Sequence, residues 1–332
     1  MGLIDASGAE RSIQTMRLVF LGTPQFAVPT LEALLSAGHI ISAVFTQPDR
    51  PKGRGREVAE SPVKQTAVAH GLSLYQPERI RRHENVDLLR QINPDATVVV
   101  GYGQIIPQSI IDIPRHGILN VHASLLPKYR GAAPIQWAIA NGETVTGVTI
   151  MRIDAGLDTG EMLLHESTPI GADETAPELG ARLAVSGASL LVRALADLEA
   201  GRSVAVKQKD AEASLAPILR KEDGLIDWSR SASQIYNRLR GFTPWPGVYT
   251  FFRGQPLQIA SARIAAPVNS LPAATLHAEQ KRLFAGCGRD SALELVEVQL
   301  PGKKRMPVDA FLNGYHLTKN EILGVRSEEM QS

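Results

Sequence analysis

Asn120, His122 and Asp158 are the residues of this chain whose types could carry out an acyl transfer. A carboxamide can donate to a developing oxyanion, an imidazole can accept and return a proton near neutral pH, and a carboxylate can fix the imidazole tautomer. The set contains no covalent nucleophile. A strand-end histidine is by itself more often a satisfied polar residue than a catalyst, so the weight comes from its setting. Leu125-Leu126-Pro127-Lys128-Tyr129-Arg130-Gly131 is a proline- and glycine-punctuated loop, and Gly156 and Gly160 flank Asp158. Loops of this kind position function more often than they fill a core.

The elements that must hold these residues follow an alternating pattern from Met16 onward. An apolar strand at 18–21, a helix entered near Pro29 and stopped at Gly38, and a strand at 40–46 make a βαβ unit. A helix capped by Ser61 with Pro62 in its first turn runs to Gly71, followed by a strand at 72–75, a helix at 84–92 and strands at 96–100, 118–121 and 145–153. Wholly apolar strands alternating with helices imply a doubly wound, mostly parallel sheet covered on both faces. Asn120 and His122 then sit at the carboxyl end of a strand, where such sheets place ligands, beside the Gly101-Tyr102-Gly103 turn. Thr175-Ala-Pro-Glu178 opens a long amphipathic helix that Gly201 ends.

After Lys207 the pattern changes to short β-type runs at 248–252, 257–262 and 293–298, preceded by a helix near 232–239. This predicts a small C-terminal β-barrel, OB-like in spacing. The expected division is an N-terminal extension at 1–15, disordered, a catalytic domain at 16–203 and the barrel at 204–330. Two basic features stand out. Arg50-Pro51-Lys52-Gly53-Arg54-Gly55-Arg56 puts four cations in seven residues with no apolar face, so a mobile loop is expected rather than core helix or strand. Lys207, Lys209, Arg220, Lys221, Arg238, Arg240 and Lys303-Lys304-Arg305 give the C-terminal part a cationic surface able to follow a nucleic-acid backbone. Trp228, Trp245 and Tyr249 read as packing residues rather than stacking platforms.

Composition sets outer limits. With 332 residues, 44% apolar and 21% charged, and a net charge of +1, the chain has the make-up of a two-domain globular protein with no overall polyanion-binding field. Its single cysteine, Cys287, excludes an internal disulfide and fits a reducing compartment. Leu21-Gly22-Thr23-Pro24 lacks the later glycines of a dinucleotide fingerprint, no GxxxxGK[ST] occurs, and the eight histidines form neither HxH nor HExxH. No metal is expected. No uninterrupted apolar run reaches the roughly 18 residues of a membrane helix, and Asp5, Glu10 and Arg11 break any signal pattern. A cytoplasmic monomer without a membrane partner is expected.

Asn120 to Ile135, together with Gly147 to Met151 and Gly156-Leu157-Asp158-Thr159-Gly160, resembles the signature of the folate-dependent formyltransferases. Phe20-Leu-Gly22-Thr-Pro24, Phe45 to Pro51, Val100 to Pro107, Ile226-Asp-Trp228 and Phe242 to Pro246 extend the resemblance nearly to the C-terminus. It implies a Rossmann-like formyltransferase domain with Asn120, His122 and Asp158 as the catalytic trio. It implies 10-formyltetrahydrofolate as donor, touched by Ser124, Leu125, Leu126 and Pro127. The acceptor it implies is the α-amino group of methionine on initiator tRNA, whose acceptor end the Arg50, Lys52, Arg54 and Arg56 insertion enters, with Arg54 the best match to the loop arginine. Ala123 stands where glycine is frequent, and Gly101 where alanine is usual. Two rivals stay open. A small-amine formyltransferase would need neither the basic insertion nor the C-terminal domain, and a non-catalytic tRNA-binding protein would have no need of the trio.

Overall fold

The computed structural model describes the backbone of residues 3–4, 10–11, 15–52, 57–265, 271–318 and 321–325, and the side chains of 15–50, 59–265, 271–318 and 321–325. Strands β1 (Leu3–Ile4) and β2 (Glu10–Arg11) pair antiparallel, so the expectation of disorder across 1–15 fails at those four residues; most of that extension lies outside the described residues.

The main sheet is built from β3 (Arg17–Gly22), β4 (Ile40–Phe45), β7 (Leu74–Tyr75), β8 (Ala96–Val100), β9 (Ile118–His122), β10 (Val145–Arg152) and β11 (Met162–Pro169). Their spatial order is β11-β10-β9-β8-β3-β4-β7. The first five in sequence run parallel, while β10 is antiparallel to both neighbours. Every residue of β8 is buried, as expected of Ala-Thr-Val-Val-Val between two covered faces. Helices α1 (Val28–Ser36), α2 (Pro62–Ala69) and α3 (His83–Ile92) fall where the sequence put them. The Ser61 hydroxyl accepts the Lys64 amide at 3.1 Å, and Gly38 takes φ +82° after α1.

β11 was not anticipated. Its Leu-Leu-His-Glu-Ser-Thr run is polar on its exposed side and is held by β10, not by its own pattern. The short helices α4 (Gln108–Ile111) and α5 (Pro134–Ala140) also escaped the sequence reading; α5 begins at a proline in the stretch read as loop. Helix α6 (Ala176–Glu199) is, by length and composition, apolar enough to cross a membrane, although Arg182 and Arg193 interrupt its apolar run. Its leucines 179, 183, 190, 191, 195 and 198 are buried inside the protein, as in a core helix.

The basic segment is corrected as well. β5 (Arg50–Lys52) and β6 (Glu57–Ala59) pair antiparallel, so the ends of the expected loop form a β-ribbon. Backbone hydrogen bonding needs no apolar face, which is why charge alone did not exclude strand here. Residues 53–56, with Arg54 and Arg56, lie outside the described residues.

Contacts group the chain into two compact units, one of residues 1–131, 145–169 and 180–216, the other of 132–144, 170–179 and 217–332. In the second, α7 (Ala232–Gly241) starts at a reciprocal Ser231/Gln234 capping box and packs with α5. β12 (Val248–Phe252), β13 (Gln255–Ile264), β14 (Leu276–Glu279), β15 (Arg282–Cys287), β16 (Ser291–Gln299) and β17 (Met306–Pro307) form an antiparallel sheet, followed by α8 (Val308–Gly314). Its path runs β12-β13-β16-β15-β14, with β17 on β16, and among the described residues its end strands do not pair with each other.

Three side chains depart from expectation. Trp245 is 56% exposed, because Pro244 and Pro246 remove two backbone donors and keep its turn out of helix and sheet. Arg240 is buried, donating to the carbonyls of Gly171 and Glu174 and to Asn237 Oδ1, and Arg238 lies over the rings of Trp137 and Phe242. Both arginines are thereby engaged within the unit, unlike exposed Arg220, Lys221 and Lys303-Lys304-Arg305. Trp228 is buried as expected, its Nε1 donating to Thr250 Oγ1 at 2.9 Å, and Tyr249 is half-buried.

Candidate active site

The sheet reverses direction of winding at β3, which has β4 on one side and β8 on the other, and the crevice at such a point opens at the strands' carboxyl ends. The two turns bordering it are tied together. Thr23 Oγ1 and Gln47 Nε2 both donate to the Tyr102 carbonyl, at 3.2 and 3.0 Å. Gly101 takes φ +57°, and a Cβ there would meet Pro24 Cγ at 2.9 Å, so glycine suits this position better than the alanine usual in the resembled family. Gln104 pins the following loop by accepting the Ile80 amide and donating to the Pro77 carbonyl, leaving Ile105 88% exposed beside the crevice.

β9 carries Asn120 and His122 two residues apart, so pleating places both on one face. Asn120 is half-buried, and among the described residues its carboxamide has no hydrogen-bond partner. His122 is 5% exposed, and its Nε2 lies 2.9 Å from the Tyr129 carbonyl oxygen. A carbonyl only accepts, so Nε2 carries a proton and donates; in the neutral ring Nδ1 is then the bare nitrogen. Nδ1 faces Asp158 Oδ2 at 3.7 Å, too long for a hydrogen bond and close enough for an ion pair once the ring is protonated. The expectation that Asp158 fixes the tautomer is corrected: the Tyr129 carbonyl does so. A backbone acceptor is invisible to a reading of side-chain types.

Asp158 is presented by a tightly folded loop. Asp154 Oδ1 accepts from the Gly156 amide at 3.0 Å and from Thr159 Oγ1 at 2.8 Å, Asp158 adopts φ +52°, and its Oδ2 accepts the Gly131 amide at 2.8 Å. A Cβ on Gly160 would lie 1.9 Å from the Arg152 carbonyl oxygen, so only glycine closes the loop onto β10. The residues expected at the folate donor follow β9. Ser124 is buried, its hydroxyl donating to the Lys128 carbonyl at 2.6 Å, and the Leu126 amide donates to Thr149 Oγ1 at 3.1 Å. Both are thus spent on loop shape, while Leu125 and Pro127 are half-buried and offer surface.

Arg50 is exposed at the start of the basic ribbon, whose base is anchored by Asp49, which accepts from Lys64 and from Gln76 Nε2. The Lys64 hydrogen bond is the main reason the Asp49 carboxyl lies below its ordinary pKa. Sequence reading missed Arg130 and Gln208. Arg130 is buried, donating through Nε to Gln208 Oε1 at 3.0 Å and through Nη2 to Asp210 at 2.9 Å. Gln208 lies in an irregular, polar stretch with no periodicity to single it out.

The site holds an amide without a hydrogen-bond partner among the described residues, on the sheet face of an imidazole with one bare nitrogen that faces a carboxylate, a set suited to proton transfer beside an oxyanion. Comparisons with known proteins give the family. Residues 16–195 match the Formyl transferase family and 218–316 match Formyl transferase, C-terminal domain. The chain is 62% identical over 310 residues to the methionyl-tRNA formyltransferase of Solibacter usitatus, spanning 93% of this chain and 99% of that one. It is 58% identical over the same shares to the methionyl-tRNA formyltransferase of Koribacter versatilis. Among solved structures, a Helicobacter canadensis N-formyltransferase in complex with folinic acid and dTDP-3-aminofucose shares the fold, with TM-score 0.64 at 19% identity, covering 84% of this chain and 98% of that one. By its fold, by both matched domains and by identity along nearly its whole length, the chain belongs to the formyltransferase family, among the methionyl-tRNA formyltransferases.

Proposed function

We propose that the chain transfers the formyl group of 10-formyltetrahydrofolate to the α-amino group of methionine carried by initiator tRNA, releasing N-formylmethionyl-tRNA for translation initiation in the cytoplasm. The observation that carries this reading is the bare Nδ1 of His122 facing Asp158, on the same sheet face as the Asn120 carboxamide, which has no hydrogen-bond partner among the described residues. The donor is a flat ring system with a reactive carbonyl. Exposed Ile105 and Leu157 and half-buried Leu125 and Pro127 offer it apolar surface, and Asn120 offers the carbonyl an N–H.

His122 Nδ1 takes a proton from the attacking amine as the new N–C bond forms. Asp158 then faces an imidazolium and stabilises it across the 3.7 Å gap. Asn120 donates to the oxyanion while the formyl carbon is tetrahedral. His122 returns its proton to the departing folate nitrogen as the old N–C bond breaks, which leaves the site as it began. Arg50, Lys52, Arg54 and Arg56 supply guanidinium and ammonium donors for phosphates and base edges near the acceptor end, and the exposed lysines and arginines of the second unit supply further phosphate contacts.

Replacing His122 by Ala tests the assignment. Transfer should fall by about 10²- to 10⁴-fold, with Met-tRNA binding retained. Equal loss of transfer and binding would refute the catalytic role.

A further inference from the structure

The segment from Val206 to Ala216 lies against both loops of the site. Val206 exchanges backbone hydrogen bonds with Met162, at 2.8 and 2.9 Å, just past the Asp158 loop. Ser214 accepts the Tyr129 amide through Oγ at 2.9 Å and the Arg130 amide through its carbonyl at 2.9 Å, and the Ala216 amide donates to the Arg130 carbonyl at 2.7 Å. Between these anchors Gln208 joins one loop to the other. Its Oε1 accepts Arg130 Nε at 3.0 Å, while its Nε2 donates to the carbonyls of Asp158 and Gly160, both at 2.8 Å. The amide orientation is dictated by these partners. Turned over, it would set an oxygen against two carbonyls and an N–H against a guanidinium.

We infer that Gln208 is a positioning residue for formyl transfer, holding the Asp158 loop in the register that faces the carboxylate toward His122. The inference rests on the role of His122 and Asp158 proposed above. Its physical content is that both Nε2 hydrogens are committed to one turn containing a left-handed aspartate, and that Oε1 ties this turn to the loop supplying the Tyr129 carbonyl. The loops of the two groups that flank the His122 ring, Tyr129 on Nε2 and Asp158 opposite Nδ1, are therefore tied to each other by one carboxamide and its buried arginine. Asp158 Oδ2 also accepts the Gly131 amide, so the bridge and the carboxylate restrain the same pair of loops from two sides. A drift of the Asp158 carbonyl would carry the carboxylate away from Nδ1 while leaving the basic surfaces proposed for Met-tRNA in place. Gln208 thus acts on the transfer step, and Met-tRNA binding does not depend on it.

Gln208→Glu keeps the length of the side chain and the acceptor for Arg130 but removes both donors and opposes a carboxylate to two carbonyls. Gln208→Met keeps the volume and removes all three hydrogen bonds. In full-length protein, single-turnover transfer from 10-formyltetrahydrofolate to saturating Met-tRNA should fall by about 10- to 100-fold in both variants, as expected for small misplacement of a reacting group. KM for Met-tRNA should stay within about twofold, the signature of an interaction used only in the transition state. Transfer rates within about twofold of the parent in either folded variant, or a rise in KM for Met-tRNA at unchanged kcat, would overturn the positioning role. Circular dichroism and the melting temperature establish folding, and if one variant does not fold the other decides. His122→Ala is measured alongside: full activity in that variant contradicts the proposed chemistry, whereas its inactivity with fully active Gln208 variants contradicts only the role of Gln208.

Discussion

At the scale of residues, the chemistry rests on which atoms are already spoken for. His122 spends Nε2 on a backbone carbonyl and leaves Nδ1 bare, and among the described residues the Asn120 carboxamide has no partner. Asn120→Ala should therefore lower kcat by about 10²- to 10³-fold with little change in folate KM, as loss of an oxyanion donor does; steady-state kinetics with varied folate checks this, and a change confined to KM would move Asn120 from the transition state to ground-state binding. The sequence marked Asn120, His122 and Asp158 as candidates because amide, imidazole and carboxylate types stood beside strand-end and glycine signals, and the fold brings His122 within 3.7 Å of Asp158. Their hydrogen-bond roles were not legible. Tyr129 contributes a carbonyl that any residue could supply, and Ser124, expected at the donor, turns its hydroxyl inward to Lys128.

The element scale explains why the loops need the residues they have. Gly160 lets the Asp158 loop close onto β10, since a Cβ would fall 1.9 Å from the Arg152 carbonyl. Gly160→Ala should destabilise the protein by about 1–3 kcal/mol, through backbone displacement, and should depress transfer more than tRNA binding; urea unfolding and filter binding measure the two, and wild-type activity in this variant would show that the loop tolerates displacement. Arg54→Ala should lower kcat/KM for initiator tRNA by about 10- to 100-fold, the worth of one specific arginine contact, at constant folate KM. Unchanged kinetics would remove the basic ribbon from recognition. The parallel strands and their helices were legible because continuous apolar runs, Ser61-Pro62 and Gly38 are local signals. β11, α5 and the pairing of Arg50–Lys52 with Glu57–Ala59 were not, because each depends on a neighbour in space rather than on its own periodicity.

For the whole molecule, the second unit carries its own electrostatic clasp. Glu321 accepts from Arg253 Nε and Nη2 at 3.1 and 2.8 Å and from the amide and hydroxyl of Thr318, with the result that its carboxyl is pulled down to about 2, chiefly by the Arg253 hydrogen bonds. A depressed folded value means the clasp contributes fully above the ordinary glutamate value of 4.5 and is lost as pH falls through about 2. Glu321→Gln should cost about 1–2 kcal/mol at pH 7, discounted for the partly exposed Arg253, and nothing near pH 2. Chemical denaturation across that range reads the difference, and a pH-independent gap would mean the cost is packing rather than charge.

The proposed roles, reacting groups on the sheet and a basic surface for the acceptor, predict one substrate pair above all. Purified protein incubated with 10-formyltetrahydrofolate and methionyl initiator tRNA should yield N-formylmethionyl-tRNA, read by acid gel or mass spectrometry of the released amino acid, with uncharged tRNA and free methionine left unmodified. Formylation of a small amine in place of Met-tRNA, or no formylation of Met-tRNA by folded protein, would contradict the account.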